Sequence, residues 1–249
     1  MYVYAIVDRE CHPPAEWRGL EGSQLSTLGY RSLAAVVSTT AVPPRPDTAA
    51  ILCHEALVEA LGVHHRALPV RFGTVFSDAS AVTEALAERY ESLVADMERI
   101  GGKVELGLIA LLRAPRESVE VRAPDADVSS DAPSGSEGAR YLQARRRAYA
   151  RAEADKSAAR QLAHEVDLAL HDYALDRRLM AVNEGGLVLR AAYLVVPADV
   201  PAVRDSIDDL RGRRPDVAIV LSGPWPPYSF VSGPPGMHVE PIEGVRHAP

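Results

Sequence analysis

The chain is short of cysteine, of positive charge and of long apolar runs, and each shortage excludes something. Two cysteines, Cys11 and Cys53, among 249 residues do not make a disulfide framework, so a reducing cytoplasm is the simplest expected compartment. Lys and Arg number 27 against 34 Asp and Glu, a net charge of −7 that argues against general nucleic-acid binding. The longest apolar runs, 104–112 and 187–196, are short and carry Glu105 and Arg190. Neither approaches the roughly 20 apolar residues that a membrane-spanning helix needs. The opening MYVYAIVDRE has no basic stretch followed by an apolar core, so a secretory leader is not expected. Phosphate-cradling G-x-x-x-x-G-K-[ST] and G-x-G-x-x-G patterns are missing, as is the G-x-S-x-G elbow of hydrolases.

What is present reads as a globular α+β protein, 47% apolar and long enough for two domains. YVYAIV (2–7) and SLAAVVST (32–39) are β-branched and aromatic runs that predict strands. After the breaker AVPPRP, Asp47 caps a predicted helix that runs to about His65. LPVRFGTVF (68–76) reads as extended, with Gly73 marking a bulge or a close backbone approach. Ser80 is the expected cap of a helix carrying Val82, Leu86, Tyr90, Leu93, Met97 and Ile100, which stops at Gly101-Gly102. KVELGLIALLR (103–113) predicts a central strand.

Residues 115–138 are rich in Pro, Ser, Asp and Gly and predict a flexible loop. Residues 139–180 hold one Pro-free, Gly-free helical stretch, with a seam of Leu142, Tyr149, Ala152, Ala159, Leu162, Val166, Leu170 and Tyr173. Its RRRAYARAEADKSAAR middle is weakly apolar and is expected to project into solvent; one long helix and a broken or paired helix both fit. NEGG (183–186) is a turn, 187–196 a strand, 197–213 a helix with Asp199 as cap, and 217–223 the last strand. The order strand, long helix, strand, helix, strand after residue 101 suits a ferredoxin-like sandwich with its helices on one face. The expected division is 1–100 and 101–249, with a frayed tail from about 233.

Four features were candidates for chemistry. Cys53, His54, His64 and His65 lie near one predicted helix, but His54 and His65 stand about 16 Å apart along its axis, too far to share a metal. They read as a solvated helix end. His164, Asp167, His171 and Asp172 have helical spacing that suits zinc, against the plainer reading of a polar face. Arg71, in an otherwise apolar segment, reads as one half of an internal pair. The fourth is SGPWPPYSF (222–230). Its Trp225, Pro226, Pro227, Tyr228 and Phe230 form either a core plug or a partner-binding surface, since rigid prolines lower the entropy cost of presenting aromatic anchors.

MYVYAIV at the start, LPVRFGTVF, KVELGL after a double glycine, Tyr141-Leu142 opening the long helix and SGPWPPYSFV near the end together resemble the gas vesicle GvpL/GvpF family. The resemblance runs in order from Met1 to about Val231. It implies two α+β domains, the second a modified ferredoxin-like fold with a long helix and a variable insert that would match 115–138. It implies a non-enzymatic role in gas vesicle assembly, with the shell protein and other vesicle proteins as partners. Cofactors, metals, nucleic acid and lipid membrane are not expected, and the expected location is the vesicle, with the cytoplasm before assembly. The competing expectation is a small-ligand regulatory module of ferredoxin-like fold.

Overall fold

The computed structural model describes residues 1–112, 137–181 and 187–232. The expected turn at 183–186, the frayed tail and all but the last two residues of the 115–138 loop lie outside the described residues. The chain forms two compact units. One is Met1–Gly102 together with the stretch beginning at Pro226, and the other is Lys103–Trp225. Each carries one antiparallel four-stranded sheet with helices, an architecture of mixed helix and sheet.

In the first unit, β1 (Tyr2–Asp8), β2 (Leu25–Tyr30), β3 (Leu33–Ser38) and β4 (Ala67–Pro69) lie in the order β2-β3-β1-β4. Helices α1 (Thr48–His64), α2 (Ala79–Glu88) and α3 (Tyr90–Ile100) complete it. Strand β1 is inside the sheet and covered on both faces, which is why Tyr2–Val7 run apolar without alternation. Strand β2 is absent from the sequence reading, because it has no fully buried residue and no Asn-Gly turn after it. Arg31 supplies the positive φ of the two-residue turn instead, at 50°. Its guanidinium lies 5.5 Å from the Tyr30 ring centre and 4.9 Å from that of Tyr90.

Asp47 caps α1 as expected, accepting the Ala50 N–H at 2.8 Å. The next helix differs in two ways. Its cap is Asp78, which accepts the Ala81 N–H at 2.9 Å, while the Ser80 hydroxyl donates to Glu84. It also breaks into α2 and α3 at Arg89, whose ψ of 9° leaves the helical range.

The expected 68–76 strand is only three residues long. Past Pro69 the chain turns through Arg71–Thr74, with the Thr74 hydroxyl donating to the Arg71 carbonyl at 2.8 Å and Gly73 at φ 86°. Gly73 therefore serves a turn and not a bulge. The chain then rejoins β1 by the Val3 N–H to Thr74 carbonyl bond at 3.0 Å.

The turn feeds a buried polar chain. The Gly73 N–H donates to the Tyr2 hydroxyl at 3.1 Å, and that hydroxyl meets His54 Nδ1 at 2.9 Å. His54 Nε2 lies 2.9 Å from the Val70 carbonyl, which can only accept, so Nε2 carries the proton and Nδ1 accepts from Tyr2. His54 is fully buried, contrary to the solvated helix end expected of it. Burial holds its pKa down at about 4 and pushes Tyr2 up to about 12.

In the second unit, β5 (Val104–Leu112), β6 (Ala174–Ala181), β7 (Leu187–Val195) and β8 (Val217–Trp225) lie in the order β6-β7-β5-β8. Helices α4 (Glu137–Leu170) and α5 (Val200–Arg213) cover one face. Their Leu162, Val166, Leu170, Val203 and Ile207 pack against Leu106, Leu108, Tyr193 and Ile219. The helix expected over 139–180 ends at Leu170. Residues 174–181 instead form the edge strand β6, paired with β7. ALDRRLMA contains good helix formers and no breaker, so only the sheet partner reveals its state. Asp199 makes no side-chain cap bond, because it already has helical dihedrals in the short turn before α5.

Since the unfolded chain binds a proton on His54 below about pH 6.5 and the folded unit does so only near 4, stability is full above 6.5 and falls as pH drops toward 4. We expect this residue to account for about 2 kcal/mol of loss between pH 7 and pH 5. Urea unfolding of the natural chain and of His54→Gln at both pH values checks it. The variant should have the shallower pH dependence, and equal slopes would refute the assignment.

Candidate functional site

The aromatic stretch at 222–230 divides at Trp225. Strand β8 does not stop at its first proline but ends before Pro226 and Pro227. It runs through Pro224, pairing as far as Glu105 opposite Trp225, on the sheet edge where a missing N–H is tolerated. Gly223 makes this possible. Its φ is 105°, and a Cβ there would stand 2.7 Å from the Glu105 carbonyl oxygen.

Beyond Trp225 the chain belongs to the first unit and is held there by a clasp. Tyr228–Phe230 form a short 3-10 turn; Phe230 is fully buried and Pro227 is buried. The Tyr228 hydroxyl donates to Glu55 of α1 at 3.1 Å. Asp96 of α3, itself only 2% exposed, accepts the Ser232 N–H at 2.6 Å and the Ser232 hydroxyl at 2.9 Å. Arg99 bridges the two elements, donating to Asp96 at 2.7 Å and to the Phe230 carbonyl at 2.6 Å. Arg89 donates to the Ser232 carbonyl. Charge-assisted bonds of this kind are among the stronger ones. Burial, then the Glu55 carboxylate, raises the pKa of Tyr228; burial also raises that of Glu55, against the hydrogen bond from Tyr228. The phenol therefore stays protonated and donating.

Beside the clasp, still within the first unit, is a cavity of about 170 Å3. Its walls are apolar, formed by Val3, Ile6, Leu68, Val82, Leu86 and Leu93, with Arg71 and Arg89 also on its lining. It is of the size that holds a small apolar group.

The second unit presents apolar surface of another kind. Along β5 and β8, Leu108, Ala110 and Ile219 lie under the helices. The alternating Ile109, Leu111 and Val220 point to the opposite face and are 37%, 40% and 52% exposed. Trp225, 51% exposed, pairs with Glu105 beyond a register shift at the end of β8. Tyr141, Leu142 and Tyr149 on the first half of α4 are exposed as well, while Ala159, Leu162, Val166 and Leu170 of the expected seam are buried.

The other candidates do not assemble a reactive centre. Cys53 packs half-buried on the first core, and His64 sits exposed near the Trp17 ring. Asp167 pairs with Arg177 and accepts from the Tyr193 hydroxyl at 3.4 Å, while His164, His171 and Asp172 are exposed. Among the described residues, no group of three His, Cys, Asp or Glu is placed to hold a metal ion, and no helix is long and apolar enough to cross a membrane. The clasp residues Asp96, Arg99 and Glu55 escaped the sequence reading. Asp96 was detectable, because it shares the apolar helix face of Leu93, Met97 and Ile100.

Residues 1–232 match the family described as gas vesicle synthesis protein GvpL/GvpF. Gas vesicle protein F2 of Halobacterium salinarum is 29% identical over 237 residues, covering 93% of this chain and 91% of the relative. Gas vesicle protein L of a Streptomyces species is 30% identical over 185 residues, covering 71% and 66%. Crystal structures of GvpF from Anabaena and from Microcystis aeruginosa match with TM-scores of 0.73 and 0.69, each at 15% identity. They cover 96% and 93% of this chain and 98% of each crystallised chain, a likeness of fold.

The two halves of the aromatic stretch should separate on substitution. Phe230→Ala should cost about 3–5 kcal/mol, the range for truncating a buried aromatic. Trp225→Ala should stay within about 1 kcal/mol, as for an exposed position. Chemical denaturation of both variants measures this, and equal losses would contradict the division.

Proposed function

The chain belongs to the gas vesicle synthesis protein GvpL/GvpF family, and from that premise we propose that it is a non-enzymatic assembly or minor structural protein. On this reading it binds the vesicle shell protein and other vesicle proteins during gas vesicle formation. The observation that carries the reading is the apolar patch on the second unit's sheet, where Ile109, Leu111 and Val220 are exposed together, with the exposed Trp225 at the end of β8. A gas vesicle wall is built from very apolar subunits that would aggregate before assembly. An acidic protein with one apolar face can hold such a subunit while its own charge keeps it dispersed.

Trp225 is the anchor of that contact. Pro226, Pro227, Tyr228 and Phe230, expected to share the binding surface, act by fixing the chain behind it. Among the described strands β6 and β8 end the sheet, and β8 offers a second mode, addition of a partner strand. Partners are proteins and not nucleic acid or lipid, in keeping with the net charge of −7. The working location is the gas vesicle, reached from the cytoplasm.

We read the two compact units as two domains. The second is a modified ferredoxin-like domain, a reading supported by its β-α-β-β-α-β order and its β6-β7-β5-β8 sheet. The cavity beside the clasp favours one alternative, a small-ligand regulatory module, although it lies in the first unit and not the ferredoxin-like one.

Purified chain should retain the shell protein in a pull-down, and Trp225→Ala combined with Val220→Asp should lose most of that retention while keeping the unfolding midpoint. Absence of binding to shell protein and to every other vesicle protein would refute the proposal. Saturable thermal stabilisation by a metabolite, lost in a cavity-filling Ala85→Trp variant, would favour the alternative.

A further inference from the structure

Helix α4 is longer than the unit it belongs to. Its 34 residues span about 51 Å at 1.5 Å per residue, yet among the described side chains its fully buried positions are Ala159, Leu162, Val166 and Leu170, all in the last third. Upstream, Tyr141, Leu142 and Tyr149 are 63%, 59% and 64% exposed, and no described residue covers them. Helices owe most of their stability to packing of an apolar face, and the described side chains of this arm provide none.

Its own side chains do little to replace that packing. Between 137 and 160 there are seven basic and three acidic residues, and Arg145, Arg146 and Arg147 are consecutive. Among the described side chains, the arm's acid–base contact is Lys156 with Glu153, 3.9 Å apart and solvent-exposed, worth at most a few tenths of a kcal/mol. The arm carries net +4 in a chain of net −7, so the remainder is −11.

The apolar residues of the arm have a defined spacing. Leu142 and Tyr149 are seven apart, two turns along one stripe, with Arg145 and Arg146 between them. Arg145 lies 5.6 Å from the Tyr149 ring centre and donates to its hydroxyl at 3.3 Å, which orders the stripe. A partner helix packed on the Leu142–Tyr149 step would meet Arg145 and Arg146 at the turn between them, and that charge selects the partner's sign. We propose that the first half of α4 is a docking arm for an acidic amphipathic helix of a partner protein. The partner's apolar seam packs on Leu142 and Tyr149, and its carboxylates meet Arg145 and Arg146. A nucleic acid would use the arginines without needing the Leu142–Tyr149 step, whereas an anionic membrane would take up both, so vesicles form a separate arm of the test. The proposal stands apart from the sheet-face contact and from the vesicle reading, and its test involves no vesicle component.

The test uses the full chain and two fluorescently labelled 28-residue peptides with leucine at the heptad core positions, one with glutamate and one with lysine at the flanking positions. The glutamate peptide should bind saturably, at least tenfold more tightly than the lysine peptide, and should weaken as salt rises. Arg145→Glu with Arg146→Glu should reverse that preference. Leu142→Ala with Tyr149→Ala should weaken the glutamate peptide at least fivefold, with circular dichroism and unfolding midpoints unchanged for all variants. Failure of both peptides to bind, equal binding of the two, or glutamate-peptide binding that survives charge reversal would overturn the proposal. So would polyuridylate RNA or phosphatidylserine vesicles binding as tightly as the glutamate peptide.

Discussion

The hydrogen-bonded chain from Gly73 through Tyr2 and His54 to Val70 is the constraint on which the first unit depends. A histidine with no exposed surface is tolerated only if both ring nitrogens are satisfied and the ring stays neutral. That requirement fixes the turn at Arg71–Thr74, because Gly73 must present its N–H to Tyr2 while Val70 presents its carbonyl to His54. The turn in turn ends β4 after Pro69 and brings Val75 back beside β1. The Tyr4 hydroxyl does parallel work nearby, accepting the Leu20 N–H at 2.8 Å and meeting Ser38 at 2.9 Å. A Cβ on Gly19 would stand 2.2 Å from that hydroxyl, so glycine is required there. Aromatic residues at the start of the chain thus act as polar linkers as much as apolar filling.

The second unit is governed by a simpler imbalance. Its sheet has two faces, and α4 and α5 cover one. The uncovered residues of β5 and β8 are the ones that would be polar on a sheet meant to face water, yet Ile109, Leu111 and Val220 stand there. The same imbalance recurs in α4, whose apolar and aromatic residues continue past the sheet it packs on. Surfaces with apolar residues and no local partner mark interaction sites in soluble proteins.

Elements with a local signal were legible in the sequence. Helix α1 has a cap at Asp47 and a run of apolar helix formers, and β5, β7 and β8 are dense in β-branched and aliphatic residues. Elements whose state is imposed from a distance were not. ALDRRLMA is a strand only because β7 offers it an edge. LSTLGY is a strand only because Arg31 accepts a positive φ that two aromatic rings stabilise. Capping failed in the same way: Ser80 and Asp199 are suitable residue types, but Asp78 and a preceding helical turn hold the geometric position. The candidate site was legible as a segment and not as a mechanism. SGPWPPYSF was conspicuous for rigid prolines around rare aromatics, but its division at Trp225 depends on Asp96 and Glu55, over a hundred residues earlier.

That division reconciles the two roles open to the segment. A single exposed tryptophan on a frayed strand end would lose conformational entropy on binding and gain little from the contact. Here the strand before Trp225 is hydrogen-bonded to β5 and the chain after it is pinned by Asp96, Arg99 and Phe230. The backbone on either side is fixed before any partner arrives, and Pro224, Pro226 and Pro227 restrict it further. If Trp225 is the anchor proposed above, a backbone hydrogen-bonded before it and pinned after it lowers the entropy cost of presenting that side chain.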